Sequence, residues 1–334
     1  MIGGRARIRC SLSPIESAIF SAMPSLPHDL QILPAVADDY PRLLHWILSA
    51  HSDLEFEDPL AWELLDRHRR GLLSLDLLRK AISGGKTVGT AWGQALAGRI
   101  GNIWPVRLLT GIPLQVGVEL LRSIDTAFDR EGIVLPVSLV DTVTTEAVAL
   151  HRDLLKMAGY QAETTLLLMS RPIASETGRP ASPLRFLSCS DHPFLAGILE
   201  QTEAESGDIP AIHGIRSGSD VLATFQQEAN RSSRAWYVVR HQENPVGCLL
   251  LASNRLEESC LIQYMGLLPG FRAQGWGRFM VEYAQHWGWL QNARCLRLMV
   301  DSQNQRATRL YQKCGLQIDR EQQFWMRGAD VRGG

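Results

Sequence analysis

Residues Leu267–Met280 read Leu-Leu-Pro-Gly-Phe-Arg-Ala-Gln-Gly-Trp-Gly-Arg-Phe-Met and predict a strand, a turn and the start of a helix. An apolar run typical of a strand ends at Pro269. A turn with two glycines follows, and a helical pattern then continues to about Trp289. Because the first N–H groups of a helix lack intrahelical partners and lie at the positive end of its dipole, such a junction can bind an anion.

Three residues make this turn suitable for a phosphate. Gly275 and Gly277 carry no side chains that would keep a phosphate away from the backbone N–H groups. Arg272 adds a fixed positive charge at the start of the turn. We therefore predict that the turn binds a pyrophosphate group.

Length and composition indicate a globular protein of two domains. The chain has 334 residues, of which 45% are hydrophobic and 21% charged. A formal net charge of −1 gives no support to a nucleic-acid or membrane partner, and no apolar run has the length of a membrane helix. The six cysteines form no Cys-x-x-Cys pair and the nine histidines are dispersed, so we expect a cytoplasmic protein without a metal site.

Residues 1–30 are expected to form a flexible extension. Three arginines precede a mildly apolar run over Ile15–Met23, but Glu16 interrupts that run. A secretory signal needs a stronger apolar block, so we do not expect one here. A start of translation at Met23 is an alternative.

A linker divides the rest of the chain almost in half. Residues 171–183 contain three prolines together with Gly, Ser and Thr, and few apolar residues. We therefore predict one domain over residues 31–171, a linker over 172–183 and a second domain over 184–330.

The two halves predict the same order of elements. Each begins with a strand, two helices and three strands, and continues with a helix, a strand, a helix and terminal strand structure. In the first half, one strand is expected over Ile100–Leu109, and Leu60, Leu64 and Leu65 are expected on the apolar face of a helix. The second half is expected to end in two short strands, near 316–319 and 323–326.

The halves also match residue by residue, with a separation that stays between 156 and 160 positions. A spacing this steady indicates a tandem duplication. The matched pairs are Val88-Gly89 with Val246-Gly247, Gly111-Ile112 with Gly270-Phe271, Gln115 with Gln274, Val140-Asp141 with Val300-Asp301, and Gly159-Tyr160 with Gly315-Leu316.

Comparison of the halves locates the anion site in the second. In place of Gly275, Gly277, Arg272 and Tyr311, the first half has Val116, Val118, Pro113 and Leu155. The valines add branched side chains to the turn, and the proline removes a backbone donor. The first half is therefore interpreted as the same scaffold with the anion site filled in, with a structural role or a role in shaping the cleft.

The second half, over about Leu184–Arg327, resembles the GNAT superfamily of N-acetyltransferases. The acetyl-CoA motif of that family, Gln/Arg-x-x-Gly-x-Gly/Ala, appears here as Arg272–Gly277. A second family pattern appears as Asn304, Ala307, Leu310-Tyr311 and Gly315. The resemblance implies an α/β (α+β) chain with two tandem GNAT folds, each a mixed and mostly antiparallel sheet flanked by helices, of which the first is degenerate.

The same resemblance implies a set of contacts to acetyl-CoA. Backbone groups of Leu267 and Leu268 are expected to pair with the pantetheine arm, and the turn is expected to hold the pyrophosphate. Asn304 is expected to contact the coenzyme, to cap a helix, or both. The full set is Leu267, Leu268, Arg272, Ala273, Gln274, Gly275, Trp276, Gly277, Arg278 and Asn304.

Tyr311 is the candidate general acid. A phenol with a pKa near 10 keeps its proton at neutral pH and can donate it to a leaving thiolate, whose thiol has a pKa near 8.5. The alternative is that Tyr311 packs in the core as an ordinary helix residue.

The general base is left open among three residues. Glu205, Asp208 and His213 lie in the loop between the first two helices of the second half, which in this family borders the acceptor site. Each has a side chain that can accept a proton from an ammonium group. The alternative is that this loop is an ordinary solvated segment.

The sequence thus predicts an N-acyltransferase that moves an acetyl group from acetyl-CoA to a primary amine by direct attack in a ternary complex. The acceptor is left open between a small molecule and a peptide, as is the oligomeric state. The alternative is a non-catalytic sensor that binds acyl-CoA.

Overall fold

The computed structural model describes residues 26–49, 58–174, 178, 180–203, 205–229, 233–254 and 257–328. Most of the predicted N-terminal extension and part of the predicted linker (residues 175–177 and 179) lie outside the described residues.

The first half, as far as it is described, alternates strands and helices in the predicted order. Its elements are β1 (Gln31–Pro34), α1 (Tyr40–Ser49), α2 (Pro59–Arg69), β2 (Leu78–Ser83), β3 (Lys86–Leu96), β4 (Ile100–Ile103), β5 (Arg107–Leu108), α3 (Leu114–Arg130), β6 (Leu135–Asp141), α4 (Glu146–Met157) and β7 (Tyr160–Pro172).

The second half repeats this order. Its elements are β8 (Leu184–Ser188), α5 (His192–Glu203), α6 (Gly218–Ala229), β9 (Arg234–His241), β10 (Asn244–Asn254), β11 (Ser259–Leu267), α7 (Trp276–Leu290), β12 (Cys295–Asp301), α8 (Gln305–Lys313) and β13 (Gln317–Arg327).

All of these strands belong to one continuous sheet. Their order is β1-β2-β3-β4-β6-β13-β7-β12-β11-β10-β9-β8, with β5 paired to β3. The pairs β4–β6 and β11–β12 are parallel, and the others are antiparallel. The sheet is therefore mixed and mostly antiparallel, as predicted.

The two halves exchange their last strands. Strand β13 lies between β6 and β7 and pairs with both, although it comes from the second half. Strand β7, from the first half, pairs with β12 of the second. Each half therefore completes the sheet of the other, an arrangement that the repeat in the sequence did not predict.

Matching hydrogen bonds confirm the duplication in atomic detail. The N–H of Leu109 donates to the carbonyl oxygen of Val88 at 2.9 Å, and the N–H of Leu268 donates to that of Val246 at the same distance. These bonds occupy equivalent places, because Leu109 directly follows β5 and Leu268 directly follows β11, the last strand before the long helix of each half. The residue-by-residue match in the sequence thus reflects a repeated backbone.

Three sequence expectations are corrected. The strand expected over Ile100–Leu109 is two strands, because Pro105 lies between β4 and β5 and cannot donate to a ladder. The two strands expected at the end of the chain are one strand, β13, which is held on both sides by neighbours. Leu60 is 43% exposed, because the buried face of α2 runs through Ala61, Leu64 and Leu65.

Candidate active site

A cleft opens where strands β11 and β12 separate. The two strands pair in parallel only from Ser259–Ile262 to Cys295–Leu298. Beyond these residues they diverge and border a cleft of about 1020 Å³. Helix α8, the turn before α7 and residues 205–216, called the cleft loop below, complete its walls. The second half therefore has a large cavity at the carboxyl ends of its parallel strand pair.

The turn before α7 has the backbone geometry that an anion site requires. Ala273 and Gly275 adopt left-handed conformations, with φ of 63° and 77°. Helix α7 begins at Trp276 without a side-chain cap. Among the described residues, no acceptor is found for the backbone N–H groups of residues 273–277. Successive unpaired N–H groups of this kind form a concave site for a phosphate.

The two glycines of the turn have different roles. A Cβ on Gly275 would meet no described atom within 4 Å, so this position faces open space. A Cβ on Gly277 would lie 2.6 Å from Cδ2 of Leu310, so Gly277 allows α7 to pack against α8. The sequence interpretation, in which both glycines clear the way for a phosphate, therefore fits Gly275 and not Gly277.

The first half has the same helix-packing glycine but no open turn. A Cβ on Gly117 would lie 2.7 Å from the side chain of Leu154, which makes Gly117, and not Val118, the counterpart of Gly277. The sequence match is wrong by one residue here, because the turn of the second half is one residue longer. Helix α3 starts at Leu114, directly after Pro113, so helix replaces the open turn.

In the first half, side chains fill the space beyond the parallel strands β4 and β6, where the second half has its cleft. Nδ1 of His151 accepts from the N–H of Val106 at 3.3 Å, and its Nε2 lies 3.0 Å from Oγ of Ser138, which donates to the carbonyl oxygen of Ile103. Since Nδ1 is an acceptor, Nε2 carries the proton. Burial lowers the pKa of His151 to about 3, so the ring is neutral at pH 7. The sequence analysis did not identify this closure.

Arg272 ties the turn to the end of helix α5. Its guanidinium donates to the carbonyl oxygens of Leu267 at 3.0 Å, Thr202 at 2.9 Å and Glu205 at 3.1 Å. Two of these oxygens lie at the C-terminal end of α5, where a positive charge is favourable. Arg272 thus ties these elements together, and the same contacts fix its positive charge beside the turn.

Tyr311 lies on α8 and faces the cleft. Its side chain is only 7% exposed and belongs to the hydrophobic core of the second half. Its hydroxyl group has no hydrogen-bond partner among the described residues, and the residue lines the cleft. Burial raises the pKa of Tyr311, and the nearby carboxylate of Asp208 raises it further. The phenol is therefore protonated at neutral pH and available to a group in the cleft.

Asp208 holds the cleft loop against strand β12. Its Oδ1 accepts from the N–H of Asp301 at 2.9 Å, and Oδ2 of Asp301 accepts from the N–H of Ile209 at 3.0 Å. Asn304 lies next to this link and caps α8, because its Oδ1 accepts from the N–H of Ala307 at 3.1 Å. Burial raises the pKa of Asp208. This carboxylate therefore has a structural role as well as a position in the cleft.

The other two candidate bases differ in their surroundings. Nε2 of His213 lies 2.8 Å from the carbonyl oxygen of Asp208 and must donate to it, which leaves Nδ1 as an acceptor in the neutral ring. Glu205 is exposed at the edge of the cleft and has a left-handed backbone with φ of 57°.

Glu203 is a cleft residue that the sequence analysis missed. It is the last residue of α5, is half-buried, and lines the cleft. Its carboxylate accepts no hydrogen bond from the described residues. Burial raises the pKa of Glu203, and the nearby His213 and Arg216 oppose that rise. The signal in the sequence that could have identified Glu203 is its position at the end of a helix, next to the loop that holds the three candidate bases.

The predicted coenzyme residues divide between the cleft and the adjoining turn. Those that line the cleft are Leu267, Arg272, Ala273, Gly277 and Asn304. The others are Leu268, Gln274, Gly275, Trp276 and Arg278, which belong to the turn or to the start of α7. The Trp276 ring is buried between Phe271 and His241, so it packs in the core. Arg278 is exposed and pairs with Glu282 at 2.6 Å.

The described residues contain no group of three or more His, Cys, Asp and Glu side chains placed to hold a metal ion. Of the helices in the same ranges, none combines the length and the apolar character needed to cross a membrane.

Comparison with known proteins gives a family match for part of the second half and a fold for most of the chain. Residues 203–316 match the model of the acetyltransferase (GNAT) family. A GCN5-related N-acetyltransferase from Sphaerobacter thermophilus is similar with a TM-score of 0.59 and 16% identity, over 90% of this chain and 96% of that protein. A tandem GNAT protein from the clavulanic acid biosynthesis pathway is similar with a TM-score of 0.55 and 13% identity, over 89% of this chain and 98% of that protein. Comparison with curated protein sequences gave no match. The predicted tandem GNAT fold is confirmed.

Proposed function

We propose that this chain is an N-acyltransferase that moves an acetyl group from acetyl-CoA to a primary amine, because residues 203–316 match the model of the acetyltransferase (GNAT) family. The observation that carries the proposal is the position of Tyr311. Its hydroxyl, which bonds to no other described residue, belongs to the same cleft that the open turn before α7 borders. A proton donor and an anion site therefore lie on one cavity, as acyl transfer from a phosphate-containing thioester requires.

The residues of the second half fit the coenzyme. The free N–H groups of residues 273–277 would bind its pyrophosphate, and the open space beside Gly275 leaves room for one. The edge of β11 beyond Ile262 has lost its pairing with β12 and would accept the pantetheine arm as an added strand. The coenzyme supplies the acetyl group as a reactive thioester.

Two side chains would carry out the proton transfers of the reaction. Glu203 takes a proton from the ammonium group of the acceptor, which frees the nitrogen lone pair for attack on the carbonyl carbon. A C–N bond forms and the C–S bond breaks, and Tyr311 donates its phenolic proton to the departing sulfur. Tyr311 then recovers a proton from the nitrogen of the new amide, so that one proton per turnover is released through Glu203.

The experiment that tests this function measures free thiol released from acetyl-CoA across a panel of small amines and peptides. Acetyl-CoA binding is measured in parallel by calorimetry. We expect binding without an acceptor, and thiol release with at least one class of amine. Binding without turnover on any amine would support the alternative of an acyl-CoA sensor, and absence of binding would overturn the coenzyme site.

Gly275→Val is expected to weaken acetyl-CoA binding by about tenfold or more, which corresponds to about 1.4 kcal/mol of lost contacts. The added side chain would enter the open space at the turn, and a branched residue at φ of 77° is strained. Gly132→Val is the matched control, because Gly132 has φ of 71° and open surroundings in the first half. Calorimetry with equal affinity for both variants would contradict the proposed anion site.

Glu203→Gln is expected to lower kcat/KM by about 10²-fold or more, because a base contributes about that factor. In the wild type, kcat/KM should rise with pH through the pKa of Glu203, since only the ionised carboxylate accepts a proton. Burial raises this pKa, so the rise should lie above the usual range of glutamate and should be lost in the variant. Exposed Glu243→Gln is the control. A rise that persists in Glu203→Gln and disappears in His213→Ala would assign the base to His213.

A further inference from the structure

The cleft loop of the second half packs on residues that the first half helps to position. Ile209, Ile212 and Ile215 contact an apolar cluster on the sheet. That cluster consists of Leu135, Val137, Leu166, Phe324 and Met326, from β6, β7 and the exchanged strand β13. Two of these three strands belong to the first half, so the apolar side of the cleft loop rests on its sheet.

Polar contacts connect the same loop to strand β7. Oγ1 of Thr164 donates to Oδ1 of Asp301, whose other oxygen accepts from the N–H of Ile209. The N–H of Ser302 donates to the carbonyl oxygen of Thr165 at 2.8 Å. Asp301 therefore links a strand of the first half to the cleft loop of the second.

The turn between β3 and β4, residues 97–99, contacts helix α6, which directly follows the cleft loop in the chain. Oγ1 of Thr224 donates to the carbonyl oxygen of Ala97 at 2.8 Å, and Ala97 donates to Oε1 of Gln227 at 2.7 Å. Nη1 of Arg216 donates to the carbonyl oxygen of Gly98 at 3.2 Å and to Thr224 at 2.9 Å. Arg216 lines the cleft, so a turn of the first half fixes a charged group in its wall.

Gly98 lets this turn approach α6 closely. Its φ is 78°, and a Cβ at this position would clash with the backbone carbonyl of Asp220 and crowd Oγ1 of Thr224. By contrast, a Cβ on Gly84 or Gly85, in the turn between β2 and β3, would meet no described atom within 4 Å. The β3–β4 turn therefore packs closely against α6 of the second half, whereas the β2–β3 turn has open surroundings at both glycines.

We infer that the β3–β4 turn of the first half is a positioning element for the acceptor side of the cleft in the second half. It fixes Arg216 and α6 while the sheet beneath supports the cleft loop. This inference rests on the proposed function for its kinetic consequence, because the cleft loop borders the acceptor. His151 fills the equivalent space in the first half. The first half therefore contributes to the site through its contacts with the cleft loop and α6, and not through a cleft of its own.

Gly98→Ala and Gly85→Ala form a matched pair for the test, since both add a methyl group at positive φ and only the first meets α6. The full chain is used, with hydrogen exchange of residues 205–229, acetyl-CoA affinity by calorimetry and the KM of the best amine from the panel. For Gly98→Ala we expect faster exchange, a KM raised by about tenfold or more, and acetyl-CoA affinity within about twofold of the wild type. Gly85→Ala should leave all three unchanged.

A second variant covers the case in which Gly98→Ala does not fold. Thr224→Val keeps the shape of the side chain and removes the hydroxyl that donates to Ala97, and it should shift exchange and KM in the same direction. Unchanged exchange of residues 205–229 in both variants would overturn the inference. If the wild type acetylates no amine, the proposed function fails while the exchange measurement still decides the inference.

Discussion

Replacement of Tyr311 with Phe is expected to lower kcat by about 10²–10⁴-fold, the range that a positioned general acid contributes. Tyr311 lines the cleft and its hydroxyl has no hydrogen-bond partner in the described part of the chain, so removal of the hydroxyl leaves no described buried group unsatisfied. The ring itself is retained in the core of the second half. The affinity for acetyl-CoA should therefore stay unchanged while turnover falls.

Tyr283→Phe is the matched control for this experiment. It removes a tyrosine hydroxyl from the same half, next to Tyr237 and away from the residues that line the cleft. Its kcat should stay within about twofold of the wild type. Single-turnover measurements that give Tyr311→Phe the same acyl-transfer rate as the wild type would remove the acid role from Tyr311.

Tyr311 should stay in its active, protonated form across the whole neutral pH range. Burial and the carboxylate of Asp208 both raise the pKa of this phenol. An acid must be protonated to act, so Tyr311 should not limit activity anywhere in the neutral range.

Arg327→Met is expected to lower the free energy of unfolding by about 3–5 kcal/mol, the cost of removing one partner from a buried ion pair. Arg327 ends the exchanged strand β13 and has a side chain that is only 7% exposed. It lies 3.3 Å from Asp125 and also pairs with Asp129, both on α3 of the first half. Asp125 accepts from the hydroxyl of Tyr160 at 2.6 Å as well. Without the arginine, a buried carboxylate would lose its counter-charge.

Arg320→Met is a control on the same strand. Arg320 pairs with Asp141, but its side chain is 54% exposed, so its loss should cost about 0–1 kcal/mol. Denaturant unfolding of both variants at pH 7.5 gives the comparison. Equal losses would contradict the role of Arg327 in holding the exchanged strand.

The difference in stability loss between Arg327→Met and Arg320→Met should become smaller at lower pH. Burial raises the pKa of Asp125 to about 6, above its value of 3.8 in the unfolded chain. The folded state therefore binds more protons between about pH 4 and 6, and this group lowers the stability as the pH rises through that window. Below about pH 6, Asp125 of the folded protein is mostly neutral and needs its partner less, so Arg327→Met should lose less stability at pH 4.5 than at pH 7.5.

A similar contact exists at the equivalent place in the second half. Arg171, near the end of β7, donates from Nε to the side-chain oxygen of Gln285 on α7 at 2.7 Å, with the amide turned so that its oxygen faces the arginine. It also donates to the carbonyl oxygen of Cys314. Each exchanged strand is thus held near its end by an arginine that contacts the helix of the other half.

Local patterns predicted the elements that carry the candidate site. Alternation, helical periodicity and the glycines located β11, the turn and α7, and the Asn304 cap was among the stated alternatives for the start of α8. The repeat predicted the tandem fold, because duplicated halves keep the same order of elements. These features depend on residues that are close together in the sequence, and so they can be read from it.

Several roles inside the site depended on contacts between distant residues. Arg272 was expected to add its charge to the anion site, and only the fold shows that its guanidinium also reaches the end of α5, about 70 residues away in the sequence. Gly277 was assigned to phosphate access, and its contact with Leu310 on α8 accounts for it instead. Glu203 was not considered as a base, because only the folded chain shows that its carboxylate accepts no hydrogen bond from the described residues, while that of Asp208 accepts one from Asp301.

The sequence by itself determined the repeated backbone, the open turn of the second half and the tyrosine on α8, because strand, turn and helix rules act over a few residues. Tertiary structure alone decided the exchange of β7 and β13, the closure of the first half by His151 and the support of the cleft loop by the turn at Gly98. These depend on which surfaces meet when the two halves pack, and no local pattern encodes that choice.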